Sequence, residues 1–127
     1  MGINEEGIEA ERMGRLFLKN KGMHNIQQID WLFKNDNGKY YAVEVKHREL
    51  FEPPPFFGTG LDISQLKLRK QLLMDLDIDT YLIVFVGDTV YWNLLSRLEA
   101  GKHFDTRNRI RIYPIENFKS QEWGTNG

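Results

Sequence analysis

The stretch IDWLFKNDNGKYYAVEVK, residues 29 to 46, decides the fold. Two runs that alternate apolar and polar residues flank the turn-forming residues 36 to 38, a pattern typical of a β-hairpin. If these three residues form the loop, counting back along both strands places Asp30 opposite Glu44. The stretch therefore predicts a hairpin with a defined register.

The alternation of side chains supports this register. The residues that it puts on one face are all apolar: Ile29, Trp31, Phe33, Tyr41, Val43 and Val45. The opposite face carries Asp30, Glu44 and Lys46. A slip of one residue would separate Asp30 and Glu44 onto different faces, because side chains alternate along a strand.

Asp30, Glu44 and Lys46 together suggest metal chemistry. Two carboxylates a few ångströms apart repel each other, and a hard divalent cation with oxygen ligands relieves this repulsion. We expect Mg²⁺, for which Mn²⁺ would substitute, with the carbonyl of Val45 as a further oxygen donor. Lys46 would then orient or deprotonate a water next to the metal and stabilise charge on a phosphate. The alternative is a half-exposed hairpin with ordinary surface ion pairs.

The overall composition excludes several classes of site. The chain has 127 residues, 41% of them hydrophobic, which suits one globular domain over residues 1 to 127. Cysteine is absent, so disulfides, thiolate zinc sites and cysteine nucleophiles are excluded. The net charge of −1 gives no general sign of nucleic-acid binding. Without a long apolar run or a signal peptide, we expect no membrane association and a cytoplasmic protein, encoded by a cell or by a virus or mobile element acting in its host's cytoplasm.

Elements outside the hairpin follow from periodicity and turn residues. A helix is predicted at residues 4 to 21, with Ala10, Met13 and Phe17 on its buried stripe. A second helix should begin after Asp62, which could form a capping box with Gln65. The hairpin strands are expected at residues 26 to 34 and 39 to 48, a loop at 49 to 60, helices at 63 to 76 and 96 to 100, and further strands at 81 to 86, 89 to 95 and 110 to 113.

These residues resemble the PD-(D/E)XK nuclease superfamily and, within it, the archaeal-type Holliday junction resolvases. The resemblance covers roughly residues 7 to 86. Its motifs are Gly7-Ile-Glu-Ala-Glu-Arg12, Gly22, Asp30, Glu44-Val-Lys46 and Gln65. It implies an α/β, restriction-endonuclease-like fold with an α-β-β-β-α-β core, in which helices flank a central mixed sheet.

The resemblance also implies roles for individual residues. Asp30 and Glu44 would be the main metal ligands, and Lys46 the catalytic lysine. Glu11 would be the acid of the first helix that helps to bind metal, although Glu9 competes for that role. Gln65 would correspond to the glutamine often found near this site, besides its possible role in helix capping.

Candidate DNA contacts lie outside these motifs. We predict phosphate contacts on the second helix and aromatic contacts in the loop before it, made by Lys67, Arg69, Lys70, Phe56 and Phe57. The alternatives are a solvated helix face and local packing of the aromatic rings.

The leading functional hypothesis is a Mg²⁺-dependent endonuclease that resolves four-way DNA junctions as a homodimer. One alternative is a nuclease of the same fold that acts on flapped, nicked or linear duplex DNA. Another is a DNA-binding domain of this fold without catalytic activity. The substrate stays open because related resolvases often have proline where this chain has Ile29, and a longer segment between Gly22 and Asp30.

Overall fold

The computed structural model describes residues 5 to 124. The helices are α1 (Glu5–Asn20), α2 (Ile63–Leu76) and α3 (Leu95–Ala100), with a 3-10 turn at Ile115–Asn117. The strands are β1 (Trp31–Lys34), β2 (Tyr40–His47), β3 (Gly58–Asp62), β4 (Asp79–Val86), β5 (Thr89–Leu94), β6 (Phe104–Asp105), β7 (Ile110–Pro114) and β8 (Lys119–Glu122). Residue 4, where the first helix was predicted to begin, lies outside the described residues.

The strands form two sheets. The larger has five strands in the order β1-β2-β4-β5-β8, and the smaller has three in the order β3-β7-β6. The larger sheet is mixed, because β2 and β4 run parallel whereas its other neighbours are antiparallel. The elements α1-β1-β2-β3-α2-β4 follow one another in the predicted order. The predicted fold class is therefore confirmed.

The register of the hairpin is as predicted. Trp31 pairs with Val43, and Lys34 pairs with Tyr40. Extending this pairing by one position beyond β1 places Asp30 opposite Glu44. The loop closes where the Asn35 amide donates a hydrogen bond of 2.9 Å to the carbonyl of Lys39.

The first hairpin strand is shorter than predicted. It starts at Trp31 rather than at residue 26 because polar groups before it bind α2 instead of a neighbouring strand. Gln27 Nε2 donates to the carbonyl of Leu68 at 2.8 Å, and the carbonyl of Gln28 accepts from Arg69 Nη2 at 2.8 Å. These bonds hold the segment before β1 against α2.

The core lies on the inner face of the large sheet, between that sheet and α2, α3 and β3. Leu82 and Val84 of β4 are completely buried there, together with Leu61, Leu66 and Leu98. Glu44 projects from the same inner face, since it lies two residues after the fully buried Ala42. Within residues 5 to 124, no helix is long and apolar enough to cross a membrane.

Much of the outer face of the large sheet and the described side chains of α1 are open to solvent. The prediction that Ala10, Met13 and Phe17 form a buried stripe is wrong, because every described side chain of α1 is exposed. The apolar hairpin face is open on β1, with Trp31 64% exposed and Phe33 39% exposed, whereas Val43 of β2 is buried. Helical spacing defines an apolar face correctly, but it does not determine whether another element covers that face.

The predicted loop at residues 49 to 60 contains the start of a strand. Its proline-rich part is a loop, closed by a bridge between Phe51 and Gly58, but β3 begins at Gly58 and pairs with β7. A Cβ on Gly60 would lie 1.8 Å from the carbonyl oxygen of Arg111. The two glycines at positions 58 and 60 were part of the predicted loop. In the structure they permit the close approach of the two strands.

The second helix has the predicted limits but not the predicted cap. Asp62 is the N-cap residue and has an extended backbone, yet its side chain makes no capping hydrogen bond. The amide of Ile63 donates instead to the carbonyl of Arg109 at 2.9 Å. A backbone group before β7 therefore satisfies the helix terminus, and the predicted capping box with Gln65 is wrong.

Candidate active site

A polar pocket of about 430 Å³ lies where α1, the segment before β1, β2 and α2 meet. Its lining residues are Arg15, Gln28, Asp30, Glu44, Ser64, Gln65, Leu68 and Arg69. Three of the residues predicted for the site, Asp30, Glu44 and Gln65, thus line one pocket.

Asp30 is fixed by the backbone of the neighbouring strand. Its Oδ2 accepts a hydrogen bond of 2.8 Å from the amide of Val45. The carboxylate therefore accepts from a backbone amide of β2 that would otherwise pair with the backbone of a longer β1. Because the N–H and C=O of one strand residue point to the same side, the carbonyl of Val45 also faces the Asp30 side of β2. One Asp30 oxygen remains for another partner.

Glu44 is the most buried acid of the pocket. It is only 4% exposed, and its Oε1 lies 3.4 Å from Nε of Arg69, which is 3% exposed. Burial raises the pKa of Glu44, the charges of Arg69 and Lys46 oppose this, and the charge of Asp30 reinforces it, so that the pKa lies above its usual value. A positive charge brought to this carboxylate would favour its ionised form.

Lys46 stands beside Glu44 rather than in the lining of the pocket. The two side chains share one face of β2 because they are two residues apart. Lys46 is half-buried, and its charge acts to lower the pKa of Glu44 against the effect of burial. This ammonium is therefore close enough to influence a group bound at Glu44.

Gln65 has an unmet hydrogen-bonding need in the pocket. Its Oε1 is buried and has no hydrogen-bond partner among the described residues. Gln65 and Arg69 are four residues apart on α2, so both side chains leave the same side of the helix. An unpaired buried carbonyl oxygen is costly, and an electropositive ligand in the pocket would satisfy it.

The acids of α1 lie at the edge of this arrangement. Glu11 Oε2 accepts from Gln28 Nε2 at 3.1 Å, and Gln28 in turn accepts from Arg15 at 3.1 Å. Glu9 pairs with Arg12 at 2.5 Å instead. Of the two acids, Glu11 is linked to the pocket, through Gln28, but the structure does not bring it into the lining beside Asp30.

The predicted DNA contacts on α2 need correction. Arg69 is buried against Glu44, so its prediction as a phosphate contact is wrong. Lys70 is exposed but forms an ion pair of 2.6 Å with Glu99. Lys67 is exposed on the helix surface. The helical periodicity of α2 therefore turns Arg69, one of these three cationic residues, inward into the site.

The two candidate aromatic residues differ in exposure. Phe57 is 51% exposed, while Phe56 is half-buried with its ring close to the backbone of Gly58. Local packing against Gly58 therefore explains the position of the Phe56 ring. Phe57 remains available for contact with a ligand.

The donors in the pocket suit a hard cation. Within the described residues, no three His, Asp or Glu side chains lie close enough together to hold one metal ion. Asp30, Glu44 and Gln65, whose Oε1 is unpaired, line the pocket, and the Val45 carbonyl lies on the Asp30 side of β2. Mg²⁺ commonly uses one or two carboxylates and fills its other positions with neutral oxygens and water. The residues present therefore fit such an ion.

Arg15 and Gln28 were not predicted as parts of the site, and Arg69 was predicted only as a phosphate contact on the surface of α2. A sequence signal existed for Arg69, because it lies one helical turn after Gln65 and so shares its face of α2. No comparable signal pointed to Gln28 or Arg15, since both reach the pocket through the placement of α1 and of the segment before β1.

Comparison with known proteins gives one structural likeness. No protein-family model matches the chain, and no curated protein matches it as a relative. Among solved structures, Hjc from Archaeoglobus fulgidus, described as a Holliday junction resolvase from an archaeal hyperthermophile, is similar with a TM-score of 0.41 and 14% sequence identity. The similarity covers 81% of this chain and 84% of that chain.

Proposed function

We propose that this chain is a Mg²⁺-dependent endonuclease that cuts four-way DNA junctions as a homodimer in the cytoplasm of a cell or host. The observation that carries the proposal is the hairpin register, which sets Asp30 opposite Glu44 with Lys46 on the same face. A structural hairpin has no need for two facing carboxylates beside a lysine. Their convergence with Gln65 on one pocket supports a site built for a cation and a phosphate.

Each residue has a distinct task in this proposal. Asp30, Glu44 and the Val45 carbonyl hold the ion, and Mn²⁺ would substitute for Mg²⁺. When bound, the cation supplies positive charge that polarises water and a phosphate oxygen. Lys46 orients the attacking water and donates a hydrogen bond to the phosphate as its negative charge grows.

Two further residues shape the site. Gln65 offers its Oε1 to the ion or to a water beside it. Glu11 acts from the rim, through Gln28 or a bridging water, because the structure places it outside the lining. A homodimer supplies two such sites, which matches the two symmetric scissile phosphates of a four-way junction.

Cleavage of a panel of labelled DNA tests the substrate. Purified protein is incubated with a four-way junction, a flap, a nicked duplex and a linear duplex, each with Mg²⁺ or with chelator. We expect paired nicks on opposing strands of the junction, in Mg²⁺ only. Equal cutting of linear duplex would replace the junction with the broader nuclease alternative. Binding of the DNA without any cutting would leave the non-catalytic alternative.

Exchange of Lys46 for methionine tests its assigned role. The variant should cleave at least about 100-fold more slowly, since proton transfer and charge stabilisation by one side chain contribute on this scale. Its affinity for Mn²⁺ should change little, because Lys46 is not a ligand and its half-buried charge is screened by solvent more strongly than the buried charge of Arg69. Single-turnover cleavage and calorimetric titration measure the two effects.

Lys119→Met is the matched control for this experiment. Lys119 is an exposed lysine on β8 outside the pocket, so its loss should leave the cleavage step intact. An equal loss of rate in both variants would show that Lys46 acts only through the general charge of the surface.

A further inference from the structure

Arg69 is an unusual residue to find in a site for a cation. Its guanidinium is buried against Glu44, and one hydrogen bond of 2.8 Å, from Nη2 to the carbonyl of Gln28, anchors it. Its Nε and Nη1 are buried without a hydrogen-bond partner among the described residues. Nε lies 3.4 Å from Glu44, within range of an ion pair but outside hydrogen-bond geometry.

Such a pair is poorly satisfied on both sides. A buried ion pair offsets its desolvation only when good geometry and further hydrogen bonds support it. Here two donor nitrogens of Arg69 lack acceptors within residues 5 to 124, and Glu44 has the charge of Asp30 nearby. The pairing with Arg69 is therefore sufficient to hold Glu44 in place, but it leaves the carboxylate open to a stronger partner.

The position of Arg69 also bears on how a cation would bind. A fixed positive charge next to a ligand carboxylate repels an incoming divalent ion, and this effect is large in a buried site. The same charge stabilises the carboxylate when no ion is present. These two effects have opposite signs, so they can be separated by measurement.

We propose that Arg69 is a built-in counter-ion of Glu44, which stabilises the fold without metal and opposes divalent cations at the same carboxylate. The inference rests on the proposed function, in that it takes Asp30 and Glu44 as the metal ligands. Arg69 is a positioning residue here, because it acts through Glu44. The alternative is that Arg69 only fills space between α2 and the segment before β1.

Thermal unfolding and calorimetric titration with Mn²⁺ test the proposal in four proteins: the wild type, Arg69→Met, Glu44→Gln and the double variant. In chelator, Arg69→Met should lower the unfolding midpoint by about 10 °C, since an isolated buried carboxylate is strongly destabilising in a domain of this size. In the Glu44→Gln background, Arg69→Met should lower the unfolding midpoint much less. If Arg69 only filled space, its exchange would lower the midpoint equally in both backgrounds.

Titration with Mn²⁺ supplies the second half of the test. Arg69→Met should bind Mn²⁺ about tenfold more tightly than the wild type, and saturating Mn²⁺ should raise its unfolding midpoint by more. Arg69→Lys, which keeps the charge, should bind Mn²⁺ with nearly the affinity of the wild type. If Arg69→Met does not fold in chelator, Mn²⁺ should restore folding, because the ion replaces the missing charge.

Arg111→Met is the matched control. Arg111 of β7 is a mostly buried arginine, paired with Asp105 of β6 and Glu99 of α3, and it lies outside the lining of the pocket. Its removal should lower stability but leave the affinity for Mn²⁺ unchanged.

The outcomes separate this inference from the proposed function. Wild-type protein that binds no Mn²⁺ would overturn the proposed metal site itself. Binding by the wild type with unchanged affinity in Arg69→Met would overturn the counter-ion role alone. Failure of Arg69→Met to fold even in Mn²⁺ would equally contradict that role.

Discussion

Exchanging Glu44 for glutamine should reduce junction cleavage by at least about 1,000-fold while the protein still binds the junction. The loss is this large because an amide oxygen is a weak substitute for a carboxylate ligand, and charge stabilisation at a reacting phosphate is worth two to three powers of ten per group. Glutamine is preferable to alanine here. Either exchange removes the charge that pairs with Arg69, a loss of about 3 to 5 kcal/mol in a buried pair, but glutamine keeps the volume and an amide oxygen that can accept from the guanidinium.

Single-turnover cleavage and a gel-shift measurement check this result together. Thermal unfolding of the same variant shows that it is folded. The exposed acid Glu116 lies outside the pocket, and Glu116→Gln is the matched control with unchanged cleavage. Cleavage by Glu44→Gln at the wild-type rate would show that the chemistry takes place elsewhere.

Exchanging Gly60 for alanine should destabilise the fold by about 3 kcal/mol or more, at the upper end of the cost of overpacking. The new Cβ would lie 1.8 Å from the carbonyl oxygen of Arg111 and 2.8 Å from its carbonyl carbon. These are backbone atoms, so no change of rotamer relieves the clash, and β3 must move away from β7. Denaturant unfolding measures the change.

This substitution should also impair the candidate site. β3 leads directly into α2, which carries Gln65 and Arg69, so displacement of β3 moves the pocket wall. Gly14→Ala is the matched control, because a Cβ at that helical position meets nothing within 4 Å. It should raise stability by up to about 1 kcal/mol through helix propensity. Equal stability of Gly60→Ala and wild type would contradict the described strand pairing.

The hairpin could be predicted in register because two signals agreed. Its three-residue loop fixed the pairing, and the alternation of side chains permitted only one of the two neighbouring registers. The predicted limits of α2 were also confirmed. These features depend on residues close together in sequence.

Features that depend on distant partners were not predictable in the same way. The apolar stripe of α1 is exposed because no described element covers it, and spacing along a helix carries no information about its partners. β3 was interpreted as loop because Gly58 and Gly60 are poor strand residues in isolation. Their role follows from the close approach of β7, which lies about fifty residues away.

The candidate site likewise combines features set by residues close together in sequence with features set by distant partners. The facing of Asp30 and Glu44 came from local register. The burial of Arg69 came from the packing of α2 onto the inner face of the sheet, where the sequence suggested a surface cation. Metal binding, the catalytic role of Lys46 and the homodimer stay predictions.

The most direct measurement is the rate of junction cleavage by wild type and Asp30→Asn, each in Mg²⁺ and in chelator. Asparagine keeps an oxygen that can accept from the amide of Val45, so the hairpin should hold its register while the site loses a charge. The proposal predicts nicking by the wild type in Mg²⁺ alone and none by Asp30→Asn in either condition. Nicking by the wild type in chelator, or at an undiminished rate by Asp30→Asn, would contradict it.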